Sequence, residues 1–291
     1  MRIIDAIQTG TPFISLEYFP PKDSADWPAF FTVVEQLAAI NPRFASVTYG
    51  AGGSNQDATL EIVTHMQRVL GIETMAHLTC VGARTDRLTA FLDQLAEAGI
   101  QNVLALRGDL PTDRERQEAL TESPLHYASD LVSFVRHCHP EMGIGVAAYP
   151  EVHPEAVSAE SDLGYLKLKF DLGADFATTQ MFFDNDLYYR FIERARERGI
   201  SKPIIPGILP ILNLNMITRI KELSGAFIPE PFMQALIEAD SRGGAKAVRA
   251  VGVAHARRQA EDLLAHGVAG VHLYTFNRAE AILELTEGLL P

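Results

Sequence analysis

One pattern recurs along the whole chain: a short apolar strand, a polar or charged strand end, then a helix. The strand cores read ISLEYF (14–19), FASVTY (44–49), TMAHLT (74–79), NVLALR (102–107), IGVAAY (144–149), DFATTQ (175–180), PIIPGIL (203–209) and AGVHLYTF (269–276). Each ends where apolar character gives way to residues able to do chemistry. A closed parallel (β/α)8 TIM barrel, an α/β fold, gathers eight such ends around one mouth. The 291 residues supply about 36 per unit, against the roughly 30 that strand, crossover helix and loops need. A doubly wound open sheet also alternates strands and helices. It is disfavoured by the count of eight and by the lack of an early GxGxxG on a strand–helix turn. No linker or second core interrupts the pattern, so a single domain over 1–291 is expected.

Helical spacing follows the strands. WPAFFTVVEQLAAI (27–40) carries Trp27, Phe30, Phe31, Val34, Leu37 and Ala38 at helical intervals, with Pro28 in the first turn, where a missing N–H costs nothing. Gly50, Gly52 and Gly53 make a permissive loop, with Ser54 as a cap for a helix over 58–70. Further helices are expected over 84–98, closed by Gly99, about 124–138, 159–173, closed by Gly173, and 184–199. The polar stretch 111–123 reads as an excursion. After the seventh strand the chain has an extra helix: 213–225, 229–239 and 242–265. A last helix is expected from Asn277, carrying Arg278 and Glu280. MRIIDAIQTG reads as a short helix across the barrel bottom.

Charge and cysteines narrow the function classes. The net charge of -12 argues against a nucleic-acid partner, which wants a basic footprint. It leaves room for a phosphorylated cofactor held by a few local cations. Cys80 and Cys138 make no disulfide scaffold and no thiol-based zinc pattern, and no metal site is expected. No secretory leader and no apolar run of about 18 residues is present, which reads as a cytoplasmic enzyme without a membrane partner.

Several strand ends carry candidate chemistry. Glu17 lies inside the apolar ISLEYF, where a carboxylate is expensive without a purpose. It is either a mouth-facing side chain paired to an arginine, or an acid with a raised pKa able to deliver a proton at neutral pH. Arg107, Gly108 and Asp109 end the fourth strand, where an arginine suits phosphate and a carboxylate suits a ring or a cation; a structural ion pair is the alternative. Gln180 offers donor and acceptor to an amide-like ring edge, while Phe182 and Phe183 read either as core or as pocket wall, with core favoured for each. Tyr149 and His153 in YPEVHP either enclose a flavin or nucleotide or fix their loop. Asp162 and Lys169 lie on a helix, with Lys169 snorkelling toward phosphate or water. Glu193 and Glu197 are a solvated face.

Taken in order, EYFPPK, SVTYGAGGS, HLTC, ALRGDLP, AAYPEVHPEA, TTQMFFD, PGILPI and YTFNRAE resemble the bacterial methylenetetrahydrofolate reductases over almost the whole chain. The resemblance implies a barrel with noncovalent FAD at the strand C-terminal ends. It implies reduction of 5,10-methylenetetrahydrofolate to 5-methyltetrahydrofolate by NADH or NADPH, ping-pong through reduced FAD, supplying methyl groups for methionine synthesis. Glu17 then matches the general acid that opens the imidazolidine ring, and Asp109 the carboxylate near pterin and flavin. Gln180 matches a folate and nicotinamide contact, and Arg278 a substrate contact. Flavin contacts fall on Thr48, His77, Arg107, Gly108, Asp109, Tyr149, His153, Asp162 and Lys169. A homo-oligomer, dimer or tetramer, is implied as well.

One departure stands out. Where the enteric-type pattern has a phenylalanine against folate and nicotinamide, this chain has Ile220, with Leu212, Leu214 and Met216 nearby. Either the loop is placed differently or plain apolar contact serves. Two rival readings are a flavin barrel acting on another substrate, such as proline, and a non-catalytic scaffold. Glu17 as an acid separates the first from the reductase. The retention of Glu17, Asp109 and Gln180 speaks against the second.

Overall fold

A computed structural model describes residues 1–48, 56–109 and 124–290. The glycine loop at 50–53, the Ser54 cap and the 111–123 excursion lie outside the described residues. Among the described residues nine strands form one parallel sheet: β1 (Phe13–Tyr18), β2 (Ala45–Val47), β3 (Thr74–Thr79), β4 (Asn102–Leu106), β5 (Gly143–Ala148), β6 (Phe176–Thr179), β7 (Ile204–Ile205), β8 (Gly207–Ile208) and β9 (Gly270–Tyr274). Their order is β7-β6-β5-β4-β3-β2-β1-β9-β8.

The seventh strand expected from PIIPGIL is two pieces, and the break closes the barrel. Pro206 stands between β7 and β8 and has no N–H for a ladder. Its carbonyl accepts the His272 N–H at 2.9 Å. On one side Ile204 pairs with Ala177 of β6. On the other Gly207 pairs with His272 of β9. Both edges of the sheet therefore belong to one run of five residues. Gly207 is also sterically required, since a Cβ there would lie 2.3 Å from the Thr179 carbonyl oxygen and 2.8 Å from the Tyr274 ring.

The barrel floor is apolar. Phe13, Phe44, Met75, Leu104, Phe176 and Ile205 fill it, and the helix Ile3–Ile7 covers it from below with Ile3, Ile4 and Ile7. Asn102 anchors that helix: its Oδ1 accepts the Ile3 N–H at 2.8 Å and its Nδ2 donates to the Met1 carbonyl at 2.9 Å. The expected bottom helix is present for this reason. Above the floor the inward side chains turn polar, and they carry the site.

Outer helices follow the expected spacing, at Trp27–Ala38, Gln56–Arg68, Thr85–Glu97, Ala128–Cys138, Ala159–Asp171 and Asn185–Glu197. Phe182 and Phe183 are both buried, the core alternative of the two. Beyond the seventh strand come Leu214–Ser224 and a long helix, Glu230–Ala265. The long one is kinked where Gly243 and Gly244 leave helical geometry, Gly244 with φ 59°. The two helices expected over 229–265 are thus joined, and the break falls at the glycine pair. The last helix starts at Ala279 rather than Asn277. Asn277 has φ 55°, a conformation that asparagine tolerates better than most residues. Its amide clamps the end of β1, accepting from the Phe19 N–H at 3.1 Å and donating to the Phe19 carbonyl at 2.6 Å. Among the described residues no helix is long and apolar enough to cross a membrane.

Candidate active site

The polar layer of the barrel interior is built by alternation. On β1, Ser15 and Glu17 point the same way; β2 adds Ser46, β3 adds His77, and β9 adds His272 and Tyr274. The side chains meet at Glu17. Its Oε2 lies 3.3 Å from His77 Nε2, 3.5 Å from His272 Nε2 and 3.3 Å from Ser46 Oγ, which donates to it. Glu17 and His77 are each 6% exposed and His272 is wholly buried. The Glu17 carbonyl accepts the Thr275 hydroxyl at 2.6 Å, so backbone and side chain are both fixed.

This environment corrects the expectation of a raised pKa at Glu17. Burial pushes the carboxyl up, but the adjacent imidazoles of His77 and His272 outweigh it and hold Glu17 at about 2. Among the described residues its partner is not an arginine either. Glu17 sits in a two-histidine cage, where a charge so deeply buried must be paired.

A second group lies at the ends of β4 and β5, around a cavity of about 350 Å³. Arg107, Tyr149, His153, Asp162 and Lys169 line it, all expected from sequence, together with Tyr127, Glu155 and Tyr165, which were not. Lys169, on the helix Ala159–Asp171, reaches inward and donates to the Ala147 carbonyl at 2.6 Å. Burial lowers its pKa to about 8, opposed by Asp162. Asp162 accepts the His153 N–H at 3.0 Å, and His153 Nδ1 accepts the Glu155 N–H at 3.1 Å. His153 therefore fixes its loop as well as lining the cavity. Its ring meets Tyr149 edge-on at 4.6 Å. Burial first, then Asp162, pushes the Tyr149 phenol up to about 12.

Arg107 is engaged by Glu155 through two N–H···O contacts, one of 2.9 Å from Nη2. That hydrogen bond lowers the Glu155 pKa and raises that of Arg107. The pair spans 48 residues, a separation that no local motif announces. Gly108 turns the chain with φ +88°, and a Cβ there would lie 2.9 Å from Thr79 Cβ. The carboxylate of Asp109 follows, exposed. Cys80 is buried beside these strand ends, and burial pushes its thiol up to about 11.

The remaining candidates are more scattered. Thr48 is half-buried after β2, and its N–H donates to the Tyr18 carbonyl at 3.0 Å. Gln180 is half-buried after β6, and its Oε1 accepts the Met181 N–H at 3.1 Å. Ile220 is buried in an apolar cluster with Phe183, Leu209 and Phe232, so its side chain is covered in this structure. Arg278 is exposed at the start of the last helix. Sequence reasoning missed His272, Ser15 and Ser46. The signal was available, since a polar side chain inside an apolar strand had already singled out Glu17.

The residues present suit a flavin dinucleotide. Two cations, Arg107 and Lys169, offer charge to phosphate, and Asp162 offers acceptors to hydroxyls. Three tyrosines wall the cavity. His77 Nε2 is buried and, although 3.3 Å from Glu17, is not angled to hydrogen-bond it, leaving a polar atom for a ligand.

Fold and site together define a closed parallel barrel with a ligand-receiving mouth at its strand C-terminal ends. Comparison with known proteins is more specific. The methylenetetrahydrofolate reductase family model matches residues 2–289, and the chain belongs to that family. It is 39% identical over 267 residues to the 5,10-methylenetetrahydrofolate reductase of Escherichia coli, covering 92% of this chain and 87% of that one. It is 38% identical to methylenetetrahydrofolate reductase (NADH) 1 of Arabidopsis thaliana, covering 95% of this chain and 49% of that one. The chain thus spans about half the length of the plant relatives it matches. Among solved structures, a Clostridium thermocellum protein that binds two copies of 5-methyl-5,6,7,8-tetrahydrofolic acid shares the fold. Its TM-score is 0.68 at 12% identity over 99% of this chain and 98% of that one.

Proposed function

We propose that this barrel reduces 5,10-methylenetetrahydrofolate to 5-methyltetrahydrofolate at the expense of NADH or NADPH, with FAD held at the mouth. The observation that carries the reading is the buried Glu17, caged by histidines at the centre of a mouth whose rim offers phosphate-binding cations. FAD, when bound, supplies the hydride chemistry that no side chain possesses. Arg107, Lys169 and Asp162 would hold it, with Tyr149 and His153 as walls and His77 reaching it from inside.

The protein's own part is charge and proton handling. Opening a five-membered ring at nitrogen needs a proton on the leaving nitrogen, and Glu17 is the group placed to pass one. The ring-opened substrate carries an iminium cation. Asp109, at the rim, is a negative charge set to favour it. Gln180 presents an amide to the ring edge of the substrate, and Arg278 lies at the rim for its acidic portion.

Purified protein supplemented with FAD is expected to show flavin absorbance, to be bleached by NAD(P)H, and to reoxidise with methylenetetrahydrofolate. Bleaching without reoxidation by folate would favour a flavin barrel for another substrate, and no flavin at all would end the reading. Arg107→Ala is expected to weaken FAD binding by about 10-fold, the scale of one charge-assisted contact, with the fold unchanged by circular dichroism. An unaltered flavin dissociation constant would remove Arg107 from the cofactor site. Asp109→Asn is expected to slow the folate half-reaction by about 10-fold, a modest figure because the side chain is exposed and its charge is screened by water. Stopped-flow measurement of each half-reaction tests it; a folate step as fast as the parent's would sink the cation-stabilising role.

A further inference from the structure

A guanidinium has two edges on which an oxyanion can sit with paired N–H···O bonds: the end edge, Nη1 with Nη2, and the side edge, Nε with one Nη. On Arg107 neither is free. At the end edge Nη1 donates to Glu155 Oε2, and Nη2 donates to Glu155 Oε1 at 2.9 Å. At the side edge Nε donates to the Gly108 carbonyl at 3.3 Å. The cation best placed to grip a phosphate of the cofactor therefore already grips a carboxylate of its own chain.

The two partners are unequally held. The Arg107 side chain is 24% exposed and has its second tie at Gly108, whereas the Glu155 side chain is 56% exposed. Among the described residues the hydrogen bonds to the Glu155 carboxylate are those from Arg107. Its backbone is fixed separately, by the N–H given to His153 Nδ1 at 3.1 Å. The carboxylate is thus free to turn into water while its loop stays in place. Opening an ion pair this exposed costs no more than about a 5-fold change in an equilibrium. The charges around the cavity point the same way. Arg107 and Lys169 are balanced there by Glu155 and Asp162. With Glu155 in place, a diphosphate meets four charges that cancel; with it turned out, a bidentate edge and a positive charge open at one spot.

We propose that Glu155 is a positioning residue and a built-in counter-anion: it holds Arg107 in place before the cofactor binds, and a phosphate of the flavin dinucleotide then replaces it on the guanidinium. This rests on the reading of the mouth as a flavin site. Cofactor binding becomes an exchange of one anion for another, which a flavin without phosphate does not complete.

Glu155→Gln keeps the shape and removes the charge. Fluorescence titration of cofactor-free protein is expected to show FAD bound about 5-fold more tightly by the variant, the scale of one half-exposed ion pair. Riboflavin, which has no phosphate, is expected to bind parent and variant alike. FAD affinity that is unchanged or weakened overturns the proposal and leaves Glu155 as a fixed strut for Arg107. A gain shared by riboflavin overturns it too. In an Arg107→Ala background the gain is expected to disappear, because the edge under exchange is gone; a gain kept there in full means general charge repulsion and not exchange. Inorganic pyrophosphate, followed by calorimetry, probes the same edge without flavin, and Glu155→Gln is expected to bind it more tightly than the parent. Equal pyrophosphate affinities overturn the exchange. Parent and variant that both bind pyrophosphate but not FAD would instead sink the functional reading, so the two failures are distinguishable.

Discussion

Replacing Glu17 with glutamine is expected to cut folate reduction by at least about 100-fold, the lower end of what a positioned acid contributes, while NAD(P)H still reduces the flavin at close to the parent rate. Hydride transfer from a nicotinamide to a flavin asks for no proton at the carbon centre. Opening the folate ring does, because an unprotonated nitrogen is a poor leaving group. Glutamine keeps the shape and can still accept from Ser46, but it passes no proton. It also removes the charge that faces His77 and His272. Rapid mixing of each half-reaction separately decides the matter. If both slow equally, Glu17 is a structural group or a flavin contact, and the acid lies elsewhere.

Glu17 also shows where sequence reading succeeds and where it stops. A carboxylate inside an apolar strand is conspicuous in one dimension, because burial without a partner is costly. Its partners are not conspicuous, for they come from β3 and β9, distant in the chain. The sequence therefore located the residue and mistook its electrostatics. A pocket imagined as merely apolar raises a carboxyl; one with two imidazoles at 3.3 and 3.5 Å lowers it. His272 went unread although VHLY places a polar ring inside an apolar strand in the same way.

Backbone details divide along similar lines. Apolar runs and glycine stops located the strands and most helices, since both are local signals. Pro206 was a local signal too, and a proline inside a strand argues for a break. That the break lets one strand serve both sheet edges depends on closure, a property of the whole barrel. Asn277 looked like a helix start. Its amide instead grips Phe19, at the far end of the sequence. The cavity followed the same rule. Arg107, Tyr149, His153, Asp162 and Lys169 were legible at strand ends or on one helix, whereas Glu155, which occupies the arginine, was not.

Lys169 yields a prediction in which two properties move in opposite directions with pH. In the folded protein burial lowers its pKa to about 8, from an ordinary 10.5. Below about 8 the ammonium is charged in both folded and unfolded chains, and the full cost of burying it is felt. Between about 8 and 10.5 the folded chain has released the proton while the unfolded chain still holds it, so this residue's contribution to stability rises with pH. FAD affinity should do the reverse. Its phosphates favour the charged lysine, so affinity is level below about 8 and falls above it, by up to about tenfold per pH unit. Lys169→Met should abolish that dependence and raise the FAD dissociation constant by about 10- to 100-fold at neutral pH, the scale of a lost charge-assisted hydrogen bond. Flavin-fluorescence titrations from pH 6.5 to 10, beside denaturant melts of cofactor-free parent and variant, measure both slopes. A variant that binds FAD as tightly as the parent, with the same pH profile, would leave Lys169 as no more than a tie to the Ala147 carbonyl and would move the phosphate site to other residues.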